Sequence, residues 1–177
     1  MKQSSLEYIK EVVLKHGYQD VECINFVGRT KSYLLWESIK DLVNWKNKTV
    51  VDLGSHFGYF SFKAVALEAK VIGLEKEQYK VDIANLISQD FSNKVKFKIW
   101  EDGQDIPKSE IILCLNVFHH FKNKELTLQK MNCDEAIFRV NKGNISLIKK
   151  YFKIKKEFQS EKLWKPNRKI LLLERIK

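Results

Sequence analysis

Residues 50–61 read Val50-Val51-Asp52-Leu53-Gly54-Ser55-His56-Phe57-Gly58-Tyr59-Phe60-Ser61, and the order of residue types along them decides the fold. An apolar run ends in an acid, two glycines stand four residues apart, and an apolar, aromatic stretch follows without a spacer. That order predicts a buried strand, a tight turn and a helix that starts at once. In doubly wound α/β sheets, ligands bind outside the carboxyl ends of the strands, in turns of this kind. Gly54 and Gly58 remove the Cβ that would stand between the backbone and a ligand. Seventeen residues after Gly58 a second apolar run, Val71-Ile72-Gly73-Leu74-Glu75, also ends in an acid. An acid there is placed to accept hydrogen bonds from ribose hydroxyls, so the two segments together predict an adenosine-containing ligand. The plainer alternative is an ordinary turn with a solvated Glu75.

The spacing of the glycines narrows the ligand. A dinucleotide fold wants Gly-x-Gly-x-x-Gly, so that backbone N–H groups meet a pyrophosphate. Here the spacing is Gly-x-x-x-Gly, and Asp52 is expected at the mouth of the loop. An anionic carboxylate there repels a phosphate and attracts an ammonium group. A nucleoside with a cationic amino-acid tail fits better than a dinucleotide.

On either side of this turn, from Thr49 onward, short apolar runs alternate with helical patterns, the signature of a mostly parallel α/β sheet. Strands are predicted at 49–53, 70–75, 94–100, 110–116, 135–140, 151–157 and 169–176, with helices at 58–68, 77–90, 123–131 and 143–150. The runs at 49–53, 110–116 and 169–176 are almost wholly apolar, as strands covered on both faces are. The runs at 94–100 and 151–157 instead alternate with Lys94, Lys96, Lys98, Lys153 and Lys155, the pattern that keeps a sheet edge from pairing with another sheet. Those two strands therefore belong at the margins. Before Thr49, apolar spacing predicts helices over 3–16 and 31–43, a helical cap of residues 1–47 on a core of 48–177, the whole being one domain. Pro107 and Pro166 fall in predicted turns.

VVDLGSHFGYFSF, VIGLEKE and EDGQDIPKSEIILCLNVFHHF together resemble the first, second and fourth motif regions of class I S-adenosylmethionine-dependent methyltransferases. The resemblance covers residues 48–121 by motif and the remainder by strand and helix order. It implies a Rossmann-like, three-layer fold with seven strands in the order 3-2-1-4-5-7-6, the last antiparallel, and helices on both faces. The lysine-alternating strands become the third and sixth, the two edges of that order. The cofactor implied is S-adenosyl-L-methionine. Position by position, Asp52 and Gly54 match the signature under the methionine portion, and Ser55, His56, Phe57 and Gly58 the turn around it. Glu75 matches the ribose-binding acid and Lys76 the residue beside the adenine. Asp102 matches the acid near the adenine amino group, with Glu101 as the alternative. Asn116, with Leu115 and Val117 beside it, falls next to the transferred methyl. His56 departs from the pattern, because the family commonly has a glycine there; histidine visits left-handed angles at some cost.

His119 and His120 follow the fourth strand, where the family places residues facing the acceptor. With Asn116 they are the catalytic candidates, since a histidine titrating near neutrality can take a proton from an attacking hydroxyl or amine. His119 suits packing and His120 the cavity; capping or packing is the alternative for both. A metal site is not expected, because adjacent histidines lack the i, i+4 spacing of zinc motifs. The absence of an Asn/Asp-Pro-Pro-aromatic run argues against the branch that methylates exocyclic amines of DNA bases. Arg29 and Arg139 are candidates for an anionic group at the rim, and an exposed arginine is the alternative. Tyr33, Trp36 and Trp45 read as core, and Cys114 as a small core residue.

The chain has 177 residues and a formal net charge of +10, from 32 basic residues against 22 acidic ones. Only four of the basic residues are arginine (Arg29, Arg139, Arg168 and Arg175), whereas nucleic-acid recognition favours the planar arginine fork. Lys149–Lys156 mixes cations with aromatics as a single-strand nucleic-acid surface does, although edge-strand alternation already accounts for most of it. No apolar run has the ~18 residues of a membrane span. Glu7 and Glu11 interrupt the first apolar pattern, so a secretory signal is not expected. Three widely spaced cysteines build no disulfide framework, which points to a reducing, cytoplasmic setting. The expectation is methyl transfer to an oxygen or nitrogen of a small molecule. The alternatives are an RNA or tRNA methyltransferase, and a cofactor-binding module that is catalytically silent or binds RNA.

Overall fold

The computed structural model describes residues 3–89, 94–159 and 167–176. Its centre is a seven-stranded sheet in the order β3-β2-β1-β4-β5-β7-β6. The strands are β1 (Thr49–Leu53), β2 (Lys70–Glu75), β3 (Val95–Ile99), β4 (Ile111–Leu115), β5 (Glu135–Asn141), β6 (Phe152–Phe158) and β7 (Arg168–Arg175). The first five pair in parallel, and β7 lies antiparallel between β5 and β6. The expected strand order and both edges are therefore met. The helices are α1 (Gln3–His16), α2 (Ser32–Ile39), α3 (Tyr59–Ala66), α4 (Gln78–Ser88), α5 (Lys124–Lys130) and α6 (Ile145–Ile148).

Alternation along the strands divides the core in two. Val50, Val71, Ile111, Leu113 and Ile137 face α2, α3 and α4, packing with Leu35, Trp36, Phe60 and Val81. Val51, Leu53, Ile112, Cys114 and Phe138 face the other side, against Phe118, Leu128 of α5 and Ile148 of α6. Cys114, Trp36 and Trp45 are core residues as expected, whereas Tyr33, also read as core, is 45% exposed on the first turn of α2. A third cluster joins Ile9 and Val13 of α1 to Phe57 of the glycine turn and to Ile83 and Ile87 of α4, which anchors the N-terminal segment above the turn.

Two helices differ from their expected extents. The one expected at 31–43 ends at Ile39, where the Trp45 indole N–H reaches back to the Lys40 carbonyl at 2.5 Å and closes the turn. The one expected at 143–150 is a 3-10 turn at Lys142–Asn144 followed by the single turn of α6. Gly143 and Asn144 have too little helix propensity to extend it. Pro166 lies outside the described residues. Among the described residues no helix is long and apolar enough to cross a membrane.

Candidate active site

The carboxyl ends of β1, β2, β4 and β5 and the amino end of β7 form one rim of the sheet, and the candidate residues gather there. The glycine turn is clamped to β2: the Gly54 and Ser55 N–H groups both donate to the Leu74 carbonyl, at 2.7 and 3.1 Å. Three of its residues have left-handed backbone, Gly54 at φ 68°, His56 at 56° and Gly58 at 89°. A Cβ on Gly54 would come within 2.5 Å of Val117 after β4, so only glycine allows the two ends to meet. His56 does adopt the angle that its departure from the family pattern requires, at a cost of about 1–2 kcal/mol.

Glu75 ties the two motifs together. It is 6% exposed, and its Oε2 accepts the His56 N–H at 3.0 Å, while Oε1 accepts Lys76 N–H at 2.9 Å and Glu77 N–H at 3.3 Å. A carboxylate has about four lone-pair positions, so Oε2 has capacity for a further donor such as a ribose hydroxyl. Lys76 is exposed beside it. Two buried atoms of the turn, Ser55 Oγ and His56 Nδ1, have no hydrogen-bond partner among the described residues. Buried polar atoms are normally paired, so the orphans fit a turn that completes its hydrogen bonding with a polar ligand.

Asp52 is not at the mouth of the loop. It is 2% exposed beneath it, and the Ser61 hydroxyl of α3 donates to its Oδ2 at 2.7 Å. Burial, with the nearby Glu75 adding to it, raises its pKa to about 7. It therefore staples β1 to α3 rather than meeting an ammonium group directly. Burial has the opposite sense on His56, whose pKa falls to about 3, helped by the charges of Lys80 and His16. Its ring is neutral and stacks edge-on against Phe57, centroids 4.2 Å apart, with Tyr18 on another side at 5.9 Å.

Other candidates separate from this group. Phe57 and Leu115 bury their side chains in the core, so only their backbone belongs to the rim. The Asn123 N–H donates to Asp102 Oδ2 at 2.6 Å at the start of α5, and Glu101 is exposed. Asn116 stands at φ 63°, and its Oδ1 accepts from the guanidinium groups of both Arg139 and Arg168, the latter at 3.0 Å. Arg168 also donates to His119 Nε2 at 3.0 Å and to Asn141 Oδ1 at 3.2 Å. Arginine only donates, so the His119 proton sits on Nδ1 and its Nε2 lone pair is taken. His120, exposed in the same 3-10 turn, has its ring 3.9 Å from that of His119.

Sequence reasoning missed three residues here: Arg168, Tyr18 and Gln19. Gln19 is buried and accepts the Tyr59 N–H at 3.4 Å, and burial raises the Tyr18 pKa against the pull of Arg168, Arg139 and Arg29. One signal was available, since Arg168 stands just before the apolar run Ile170–Leu173 of β7; its pairing opposite Asn141 appears only in the fold. A cavity of about 210 Å3 beside Lys70, Lys94 and Lys108 lies at the amino ends of the strands, away from this rim.

Residues 44–171 match the family model described as "Methyltransferase domain". A tRNA U34 carboxymethyltransferase of Campylobacter fetus subsp. fetus (strain 82-40) is 29% identical over 118 residues, which span 64% of this chain and 40% of that protein. Among solved structures, the PH0226 protein of Pyrococcus horikoshii OT3 is similar with a TM-score of 0.70 at 12% identity, covering 82% of this chain and 92% of its own. An S-adenosylmethionine-dependent methyltransferase of Mesorhizobium loti is similar with a TM-score of 0.67 at 13% identity, covering 79% and 97%. At such identities the likeness is one of fold. The family model runs from before β1 into β7, so the match rests on the whole sheet and not on the glycine turn alone: the chain belongs to the class I S-adenosylmethionine-dependent methyltransferase family.

Proposed function

We propose that this protein is a methyltransferase that binds S-adenosylmethionine at the Gly54–Gly58 turn and transfers its methyl group to an oxygen or nitrogen acceptor. The observation that carries the reading is the junction of turn and acid: Glu75 Oε2 on the His56 N–H, with acceptor capacity left at the carboxyl rim of β2. When bound, the cofactor supplies a methyl group on a sulfonium, which leaves as a neutral thioether. Ser55, His56 and Glu75 hold the nucleoside, and Asp52 keeps the turn in register from below. Alignment of acceptor and donor supplies much of the rate in such a displacement. Any proton release from the acceptor falls to His120, since the His119 Nε2 lone pair is engaged by Arg168. His119 and Asn116 act as positioning residues. We further propose that residues 1–47 form the cap over this cleft within one domain, as the packing of Ile9 and Val13 against Phe57 supports.

A small-molecule acceptor fits the short link between β5 and β6, which holds only the 3-10 turn Lys142–Asn144 and α6 and no long insertion. The similarity to a tRNA U34 carboxymethyltransferase favours a second reading, in which the acceptor is a nucleotide in RNA and the net charge of +10 attracts it. Methyl-labelled cofactor offered to separated RNA, small-molecule and protein fractions of the host decides between them. Label in the small-molecule fraction supports the first reading, and ribonuclease-sensitive label supports the second. Cofactor binding with no labelled fraction would leave a catalytically silent binding module.

A further inference from the structure

The link between β3 and β4, residues 100–110, contains no helix, and this leaves part of the sheet uncovered. On the face that carries Val51 and Leu74, α5 and α6 pack over β4 and β5, while Trp100 and Ile106 of the link bury beside Leu74 near the carboxyl end of β2. Toward the amino ends of β1, β2 and β3 a cavity of about 210 Å3 stays open, lined by Lys70, Ile72, Lys94, Lys96, Lys108 and Ser109. Ile72 pairs with both Val51 and Lys96, which puts the three on one face, so Lys94, Lys96 and Lys98 succeed one another on it. Their step is about 6.6 Å, twice the rise of a parallel strand. Lys98 stands opposite Leu74, one residue short of the Ile99–Glu75 pair at the carboxyl rim.

Edge protection accounts for cations on β3, the outer strand, but not for Lys70 on β2 or Lys108 before β4. All five lysines are exposed, and none has an ion pair among the described residues. Two acids at this end are engaged elsewhere: Glu110 accepts from Lys48 at 2.7 Å and from the Thr49 N–H at 2.9 Å, and Glu68 pairs with Lys46 at 3.4 Å. Ser109 is 5% exposed, and its hydroxyl has no hydrogen-bond partner among the described residues. A buried hydroxyl normally has one, so the cavity wall offers an anionic oxygen a donor as well as charge. We propose that this face holds the phosphate backbone of a single-stranded RNA laid along β3, with Lys94, Lys96 and Lys98 on successive phosphates and Lys70, Lys108 and the Ser109 hydroxyl around the phosphate in the cavity. A uniform step suits a polymer whose charges repeat evenly, and lysine point charges suit contacts that position a backbone without reading its sequence. The row leads from the amino end of the sheet toward the rim that carries Glu75, so RNA on it is directed to the candidate active site. The inference rests on the second reading above for the class of partner.

Fluorescence anisotropy of the full chain with a labelled oligouridylate tests it, the probe having about 12 nucleotides, within the range that single-strand grooves engage. One variant combines Lys94→Gln, Lys96→Gln and Lys98→Gln. A second combines Lys149→Gln, Lys153→Gln and Lys156→Gln, which removes the same charge around the opposite edge strand. The first should bind at least tenfold more weakly, and its slope of log affinity against log salt should be shallower by about 2, at ~0.7 per phosphate contact. The second should keep most of the affinity and the parent's slope. Equal losses in the two variants, or no binding by the parent, overturn the proposal. Competition by poly-glutamate as effective as that by unlabelled RNA also overturns it, and makes the face a site for acidic polypeptide. Circular dichroism melting and light scattering check that each variant folds and stays dispersed. If the first associates through its bared edge, Lys70→Gln with Lys108→Gln carries the test, with a slope shallower by about 1.4. Calorimetry with S-adenosylhomocysteine keeps the two claims apart. A chain that binds this ligand but no RNA overturns the RNA track alone, and one that binds RNA but not this ligand overturns the methyl-transfer reading alone.

Discussion

Burial acts on Asp52 and His56 in opposite directions, and both effects reach the stability of the fold. The Asp52 carboxyl, with its pKa near 7, holds its proton more tightly folded than unfolded. Its influence on stability is therefore most favourable below about pH 4 and is lost as pH rises toward 7, on the order of 4 kcal/mol at most. Asp52→Asn carries no charge, so its stability relative to the parent should rise between pH 5 and pH 8; urea unfolding at each pH measures this, and a constant difference would contradict it. His56, with its pKa near 3, is neutral in the fold and protonated in the unfolded chain below about pH 6.5. The penalty is absent above that pH and grows as pH falls. His56→Asn, which tolerates the left-handed angle, should remove that acid-side loss while leaving the chain folded. Glu75 acts on the ligand: Glu75→Gln keeps the shape but weakens hydrogen bonds to ribose, a change of about 1.5–3 kcal/mol for bonds to a charged group. S-adenosylhomocysteine should then bind at least tenfold more weakly.

Among the elements, β2 meets β3 through a contact that leaves no room. A Cβ on Gly73 would stand 2.3 Å from Phe97 Cδ1 and 2.9 Å from Ser55 Oγ. Gly73→Ala should therefore destabilise the chain by about 1–3 kcal/mol in urea unfolding, the usual cost of overpacking. It should also weaken ligand binding, because Phe97 and Ser55 buttress the glycine turn. The edge strand β6 shows Lys153, Lys155 and Lys156 exposed, with Lys155 paired to Glu135 at 2.8 Å. Replacing Lys153 and Lys156 together by valine should produce concentration-dependent association in light scattering, since the charges that discourage edge pairing are gone. The strands and the two edges were legible because apolar runs, alternating lysines and glycine turns are local signals, while the strand order came only with the family resemblance. The glycine turn and Glu75 were legible for the same reason. The burial of Asp52, the commitment of Asp102 to Asn123 and the meeting of Arg139 with Arg168 were not. Each depends on contacts between segments far apart in the chain, such as Asn116 with Arg168, which residue spacing does not encode.

At the scale of the whole molecule, the net charge of +10 divides into parts with different roles. Several lysines guard the edges β3 and β6 or sit in exposed ion pairs, where each contributes little to stability. Arg139 and Arg168 belong to the rim. If RNA is the acceptor, its affinity should fall steeply with added salt, because phosphate contacts release counterions; an affinity that is flat with salt would point to the small molecule. The claim common to every reading is that the rim formed by the Gly54–Gly58 turn and Glu75 holds an S-adenosyl ligand. Isothermal titration calorimetry of the full chain with S-adenosylhomocysteine tests it most directly. A saturable one-to-one isotherm that weakens at least tenfold in Glu75→Gln is expected, and an isotherm with no heat above dilution, or one unchanged by that substitution, would contradict that claim.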